Sequence, residues 1–141
     1  TLKWLERKWF FKVFTKIIRV IVYDNNIEQV GRIYQSGATL GQGVDLTDGK
    51  TIEVDYLGGC NMSFKRKIFK EIGLFDENFI GKSQYFEADF CLRIKEHGYK
   101  VLFNPRARVQ HIRRNRHGFP RDYIRNFIYF YFKNLRPKRV S

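Results

Sequence analysis

Cysteine and long apolar runs are both scarce in this sequence. Its two cysteines, Cys60 and Cys91, are too few for a disulfide scaffold and lack the spacing of zinc ligands. We therefore expect a reduced, cytosolic chain. The longest unbroken apolar or aromatic run that we find covers residues 127–132, far short of the roughly 18 residues that a membrane-spanning helix needs. The first residue is Thr and no segment resembles a signal peptide, so we expect a fragment.

Aromatic residues, by contrast, are abundant. They make up 17% of the 141 residues, with 14 Phe, 8 Tyr and 2 Trp, and hydrophobic residues reach 43%. This composition excludes a disordered tail, because disordered segments have few aromatic residues and low hydrophobicity. A chain of this length is typical of one domain and buries about two-thirds of the surface of its unfolded state.

The net charge of +13 is concentrated at the two ends of the chain. Residues 1–25 have a balance of +4 and residues 105–141 a balance of +10, whereas residues 26–104 have a balance of −1. Basic ends indicate an anionic partner, either a phosphate-bearing ligand, acidic lipid headgroups or nucleic acid. We expect nucleic acid least, because the core is nearly neutral and no helix-turn-helix, zinc-finger or RNP-type pattern is present.

Hydrophobic periodicity predicts helices that alternate with strands. Residues 2–23 form a predicted basic amphipathic helix that either lies on a membrane surface or, as we favour, packs its apolar stripe on a core. Further helices are predicted at 65–72, 86–97 and from 124 onward, and strands at 30–34, 51–57 and 101–103. Gly73 and Gly98 are the predicted stops of two helices. This alternation indicates an α/β layer architecture.

Acidic, histidine and arginine side chains supply the candidates for chemistry. Glu87 and Asp89 lie in the first turn of a predicted helix, where the helix dipole keeps a carboxylate ionised and suited to act as a base. Acids are also common there for that electrostatic reason alone, and Asp89 is spaced to pair with Arg93. His111 is either a metal ligand or a hydrogen-bonded structural histidine. The basic loop with Arg113, Arg114 and Arg116 either holds phosphate oxygens or is simply solvated.

Four strings in register resemble the C-terminal half of a family 2 glycosyltransferase, an inverting enzyme with the GT-A fold. They are Y-L-G-G-C-N-M-S-F-K-R-K at 56–67, I-G-L-F-D-E-N-F at 72–79, E-A-D-F-C-L-R-I with G-Y-K-V-L-F at 87–103, and N-P-R-A-R-V-Q-H at 104–111. The resemblance covers roughly residues 28–133. It implies the C-terminal half of a Rossmann-like α/β domain, a mixed sheet flanked by helices. We divide this single partial domain into a basic amphipathic helix (1–25), an acceptor and catalytic region (26–112) and a basic loop with an aromatic helix (113–141).

The resemblance also implies roles for particular residues. In a family pattern like E-D-x-D-L-x-L-R, Glu87 matches the usual catalytic base and Asp89 the later Asp, while Phe86 stands where the first acid is expected. Four residues match the segment that borders the acceptor and the donor sugar: Gly58, Gly59, Cys60 and Asn61. His111 matches a histidine that joins the metal or diphosphate site in some GT-A enzymes. The basic residues that follow it, Arg113, Arg114 and Arg116, would hold the diphosphate.

The family uses a divalent cation, Mg²⁺ or Mn²⁺, whose main Asp-x-Asp ligands lie N-terminal to the matched strings and have no counterpart here. We therefore expect the chain to begin just after those acids. The implied reaction transfers a sugar from a nucleotide-sugar donor to a saccharide or lipid-linked acceptor by a single displacement. Cell-surface polysaccharide synthesis at the inner face of the cell membrane is the expected setting, with peripheral membrane contact through the basic ends. The alternative is an inactive fragment, or a basic module that binds anionic membrane or nucleic acid.

Overall fold

The computed structural model describes residues 2–23, 30–39, 47–110, 112 and 121–136. Its helices and strands follow in this order: α1 Leu2–Tyr23, β1 Ile52–Glu53, α2 Arg66–Ile72, α3 Phe86–Glu96, β2 Leu102–Phe103 and α4 Arg121–Asn134. All four predicted helices are therefore confirmed, with ends that differ by at most three residues. None of the helices in the described ranges is both long and apolar enough to cross a membrane.

The two strands form one antiparallel pair, with Ile52 opposite Phe103 and Glu53 opposite Leu102. Both are shorter than the sequence predicts. The predicted strand at 51–57 leaves the ladder because the N–H groups of Asp55 and Tyr56 both donate to the carbonyl of Gly31, at 2.8 and 3.2 Å. The predicted strand at 30–34 contributes only a single bridge, between Ile33 and Thr39. The arrangement is compatible with an α/β fragment; in the described part of the chain the sheet is antiparallel rather than mixed.

The core lies around α3, which is buried on two sides. One side joins α2 and the strand pair in a cluster of Val54, Ile68, Phe90, Cys91, Ile94 and Val101. Phe90 is its centre and meets the rings of Phe64 at 4.9 Å, Phe69 at 5.3 Å and Phe75 at 4.6 Å between centroids. The other side packs on α4 through Phe79, Tyr85, Ala88 and Phe130. Helix α3 is therefore held between two aromatic clusters.

Glycines end two helices as the sequence predicts. Gly73 follows α2 with φ of 89°, and Gly98 follows α3 with φ of 79°. Both angles lie in the left-handed region that glycine adopts without steric cost.

The apolar stripe of α1 is exposed where its side chains are described. Phe14 and Ile17 are each 49% exposed and Ile21 is 68% exposed. A hydrogen bond of 2.6 Å from Ser36 Oγ to the carbonyl of Val22 joins the end of α1 to the segment 30–39. The expected packing of this stripe on a core is thus not present among the described residues.

Candidate functional site

The turn at 58–61 lies directly against the start of α3. A Cβ added to Gly59 would be 3.3 Å from Phe86 Cζ and 3.5 Å from Glu87 Oε1. The turn is closed by a hydrogen bond of 3.3 Å from the N–H of Asn61 to the carbonyl of Gly58. The side chain of Asn61 donates to the carbonyl of Ala107 at 2.8 Å, which ties the turn to the segment after β2. Tertiary packing therefore brings the predicted sugar-binding turn and the predicted base together.

Glu87 is a half-buried carboxylate with one unpaired oxygen. Burial raises its pKa above the ordinary value, and hydrogen bonds from the backbone N–H groups of Glu87 and Gly59 offset only part of that rise. Its Oε2 atom is buried and has no hydrogen-bond partner among the described residues. A buried polar atom without a partner is costly, so this oxygen keeps an unused capacity to accept a hydrogen bond.

A cavity of about 630 Å³ opens beside the same turn. Its lining includes Gly58, Cys60 and Asn61 of the turn, and Asn104, Pro105 and Arg108 of the segment after β2. Arg108 is oriented by a hydrogen bond of 3.2 Å from its Nε to the carbonyl of Pro105. The cavity has the size of a small-ligand site and combines backbone, amide and guanidinium groups that hydrogen-bond polar ligands.

Asp89 has a different environment from Glu87. Its side chain is fully buried, and its carboxylate accepts hydrogen bonds from Arg93 Nε at 3.1 Å, Asn134 Nδ2 at 3.0 Å and Lys133 Nζ at 2.7 Å. The predicted pair with Arg93 is confirmed. Both oxygens of Asp89 are thus occupied by protein groups, which identifies it as an internal anchor between α3 and α4.

The remaining candidates lie outside the described residues: His111, Arg113, Arg114 and Arg116. Their predicted roles toward a metal and a diphosphate therefore stay predictions. In the ranges that are described, no three His, Cys, Asp or Glu side chains are grouped so as to hold a metal ion.

Sequence reasoning missed the polar groups that α4 contributes around the start of α3. Lys133 bridges Asp76 and Asp89 with distances of 2.6 and 2.7 Å, and Tyr123 meets the hydroxyl of Tyr85 at 2.9 Å. Polar residues on the buried side of an amphipathic helix are the signal that could have identified Lys133, together with Asn126 and Asn134. Nothing in the local pattern distinguishes Tyr123 from other aromatic core residues.

Comparisons with known proteins give one informative similarity. A curated protein of Haloferax volcanii, glucosyl-dolichyl phosphate glucuronosyltransferase, is 44% identical to this chain over 64 residues. The match covers 42% of this chain and 20% of that protein, so the chain spans about a fifth of the length of the relative it matches. No protein-family model matches the chain, and no solved structure matches it. The chain is thus similar, over part of its length, to a glycosyltransferase.

Proposed function

We propose that this chain forms the acceptor-side part of a glycosyltransferase that moves a sugar from a nucleotide-sugar donor to a saccharide or lipid-linked acceptor. The partial similarity to a dolichyl phosphate glycosyltransferase supports transfer of a sugar in general terms. The family 2 assignment, the GT-A fold and the inverting reaction come from the four strings at 56–111. Cell-surface polysaccharide synthesis, at the inner face of the cell membrane, is the setting that we propose for it.

The unpaired Oε2 of Glu87 is the observation that carries this proposal. In the proposed reaction this oxygen accepts the proton of an acceptor hydroxyl group, whose oxygen attacks the anomeric carbon while the bond to the nucleotide diphosphate breaks. A raised pKa makes a carboxylate a stronger base once it is ionised, and geometry within hydrogen-bond reach is the first requirement of such a base. The backbone N–H of Gly59 keeps the carboxylate directed at the turn.

The turn at 58–61 and its cavity are the proposed sugar-binding surface. Gly58 and Gly59 have no side chains, so a substrate can approach the backbone closely beside Glu87. Cys60 and Asn61 border the cavity of about 630 Å³, and Asn61 is already oriented by Ala107. This arrangement is suited to hydroxyl-rich ligands, which need several hydrogen bonds in a shallow pocket.

The diphosphate and the divalent cation, Mg²⁺ or Mn²⁺, are assigned to residues outside the described ranges. We propose Arg113, Arg114 and Arg116 for the diphosphate and His111 for the metal site. The described residues do not fit a cation site, because they hold no suitable cluster and the Asp89 carboxylate is already paired with Arg93 and Lys133. No step of the proposed mechanism therefore passes through the metal.

Replacing Glu87 by Gln tests the proposed base. The substitution keeps the shape of the side chain and removes its basicity, so we expect sugar transfer by the full-length protein to fall by about 10²-fold or more. The measurement is donor-dependent product formation with saccharide and lipid-linked acceptors. Glu96→Gln, at the exposed end of the same helix, is the matched control and should leave the rate unchanged. Near wild-type transfer by Glu87→Gln would show that another group is the base.

The exposed side of α4 favours a second candidate function, binding to an anionic membrane. Ile124 and Phe132 are 54% and 55% exposed and share this face with Ile128 and the exposed Arg121. Apolar and cationic side chains on one helix face are typical of helices that lie in an anionic lipid interface. A lipid-linked acceptor lies in a membrane, so the two functions are compatible.

Vesicle sedimentation tests this contact. We expect the full-length protein to bind phosphatidylglycerol vesicles more tightly than phosphatidylcholine vesicles, and the double variant Arg121→Glu/Phe132→Ser to lose that preference. The control carries the same kinds of change on another exposed surface, Arg66→Glu/Leu74→Ser. Equal loss in both double variants would contradict a role for the α4 face.

A further inference from the structure

The direction of Glu87 depends on how α3 begins, and α3 begins after a strained residue. Tyr85 precedes the helix with φ of 72°, in the left-handed region that is unfavourable for a bulky side chain. The N–H of Phe86 donates to the carbonyl of Ser83, which also has a positive φ, 53°. Strain of this kind persists only where surrounding contacts hold it, and it is typical of functional sites.

Helix α4 supplies the contacts that hold Tyr85. The hydroxyl oxygens of Tyr85 and Tyr123 are 2.9 Å apart and share a hydrogen bond. The Tyr85 ring is stacked on Phe130, with centroids 5.2 Å apart and an interplanar angle of 28°, and meets Phe127 at 5.6 Å. All three partners come from one side of α4.

Helix α4 also holds the chain before and after Tyr85. The buried amide of Asn126 accepts from the N–H of Ile80 at 3.2 Å and donates to its carbonyl at 3.0 Å. On the other side of Glu87 in the sequence, Lys133 and Asn134 bind the carboxylate of Asp89. Glu87 therefore lies between two attachment points on α4, while its own carboxylate faces the Gly59 turn.

We propose that Tyr123 is a positioning residue, which acts through the hydroxyl of Tyr85 to set the direction in which Glu87 meets the Gly59 turn. The expected effect on catalysis rests on the proposed function, whereas the expected effect on the direction of the Glu87 carboxylate does not. Misplacing a reacting group by 1 Å can cost about 10²-fold in rate, so a small release of Tyr85 is sufficient to be measured.

The first test is kinetic and uses the full-length protein. Tyr123→Phe and Tyr85→Phe each remove the same hydrogen bond, so we expect each to lower kcat about tenfold, with KM for the donor changed less than about twofold. The double variant should be no slower than either single variant, because the hydroxyls act as one pair. Tyr131→Phe is the matched control on the same helix, where the ring lies against Gly37 instead of Tyr85, and should leave kcat unchanged.

The second test needs no sugar substrate. The backbone N–H of Gly59 donates to the Glu87 carboxylate, so the hydrogen-exchange rate of this amide reports on where Glu87 points. We expect exchange at Gly59 to be at least about fivefold faster in Tyr123→Phe and in Tyr85→Phe than in the wild type or Tyr131→Phe. Should one variant fail to fold, the reciprocal variant removes the same bond and completes the comparison.

The two tests separate the positioning role from the proposed function. Unchanged Gly59 exchange in both variants would overturn the positioning role, whatever the kinetics. Faster exchange together with wild-type kcat would support positioning and count against Glu87 as the base. If Glu87→Gln abolishes transfer while both phenylalanine variants keep wild-type kcat and Gly59 exchange, the base assignment stands and the role of Tyr123 is refuted.

Discussion

Replacing Lys133 by Met should reveal how much the contact between α3 and α4 depends on one ammonium group. Lys133 Nζ lies 2.6 Å from Asp76 Oδ2 and 2.7 Å from Asp89 Oδ1, and the Asp89 side chain is fully buried. Methionine keeps most of the apolar stem of lysine and removes the charge. The substitution therefore removes both carboxylate contacts, together with the weaker contacts of the ammonium with the rings of Phe79 and Tyr129 at 5.8 and 5.9 Å.

The expected loss of stability depends on the hydrogen-bond partners that each carboxylate retains in the variant. Hydrogen bonds to charged groups contribute about 1.5–3 kcal/mol each, and a carboxylate that loses a partner is costly to bury. Asp89 retains Arg93 and Asn134, and Asp76 retains Tyr129, so neither is left without a partner. We therefore expect the free energy of unfolding at pH 7 to fall by about 3 kcal/mol, close to one such bond rather than two.

The loss of stability in Lys133→Met should become smaller at low pH. Burial alone would raise the pKa of Asp76, but hydrogen bonds from Lys133, from the backbone and side chain of Asn78, and from Tyr129 hold this pKa well below its ordinary value. A carboxylate with a depressed pKa stabilises the fold above its unfolded pKa, and this stabilisation is lost as the pH falls through the folded pKa. The difference between wild type and Lys133→Met should therefore be constant above about pH 5 and shrink below about pH 4.

Urea denaturation at pH 7 and at pH 3–4 measures both effects. Lys100→Met is the matched control, because Lys100 is 74% exposed and its pair with Glu53 is long, 3.6 Å. Exposed pairs of this kind contribute about 0–1 kcal/mol. A loss below about 1 kcal/mol for Lys133→Met, or an equal loss for both variants, would refute the reasoning that the bridge joins the two helices.

Three further results are expected. Asn126→Leu leaves the backbone N–H and the carbonyl of Ile80 without their partner, so the free energy of unfolding should fall by about 2–4 kcal/mol in denaturant titration. A loss close to zero would contradict this. Gly59→Ala places a methyl group 3.3 Å from Phe86 Cζ, so the rate of sugar transfer should fall while the midpoint of thermal unfolding changes little. Comparable losses of transfer and of thermal stability would contradict this. The rate of sugar transfer should fall at acidic pH with a midpoint above the ordinary pKa of a glutamate, because protonated Glu87 cannot act as a base. If the same fall at acidic pH persists in Glu87→Gln, it belongs to another group.

Local sequence patterns predicted the helices and part of the site. Apolar residues at helical spacing and the stops at Gly73 and Gly98 predicted α2 and α3, and the spacing of Asp89 and Arg93 predicted their ion pair. Each of these features joins residues that are neighbours along the chain or one helical turn apart. The predicted strands at 51–57 and 101–103 are present but shorter, and the first ends early because Asp55 and Tyr56 bond to Gly31 instead of extending the ladder. The predicted strand at 30–34 forms only the single bridge between Ile33 and Thr39.

Tertiary packing alone decided which candidate side chains share an environment. The composition by itself determines a basic, aromatic chain with a substantial core, and the sequence motifs indicate the turn at 58–61 and Glu87 separately, without their contact. The contact between Gly59 and Glu87 joins residues 28 positions apart, and the bridge from Lys133 to Asp76 joins residues 57 positions apart. The same bridge reaches Asp89, whose side chain is fully buried. No local periodicity encodes contacts between residues so far apart in the sequence, since these contacts form only when α3 is packed between the strand pair and α4. The strained backbone at Tyr85 has the same origin, because its position is held by aromatic contacts from a helix nearly forty residues later.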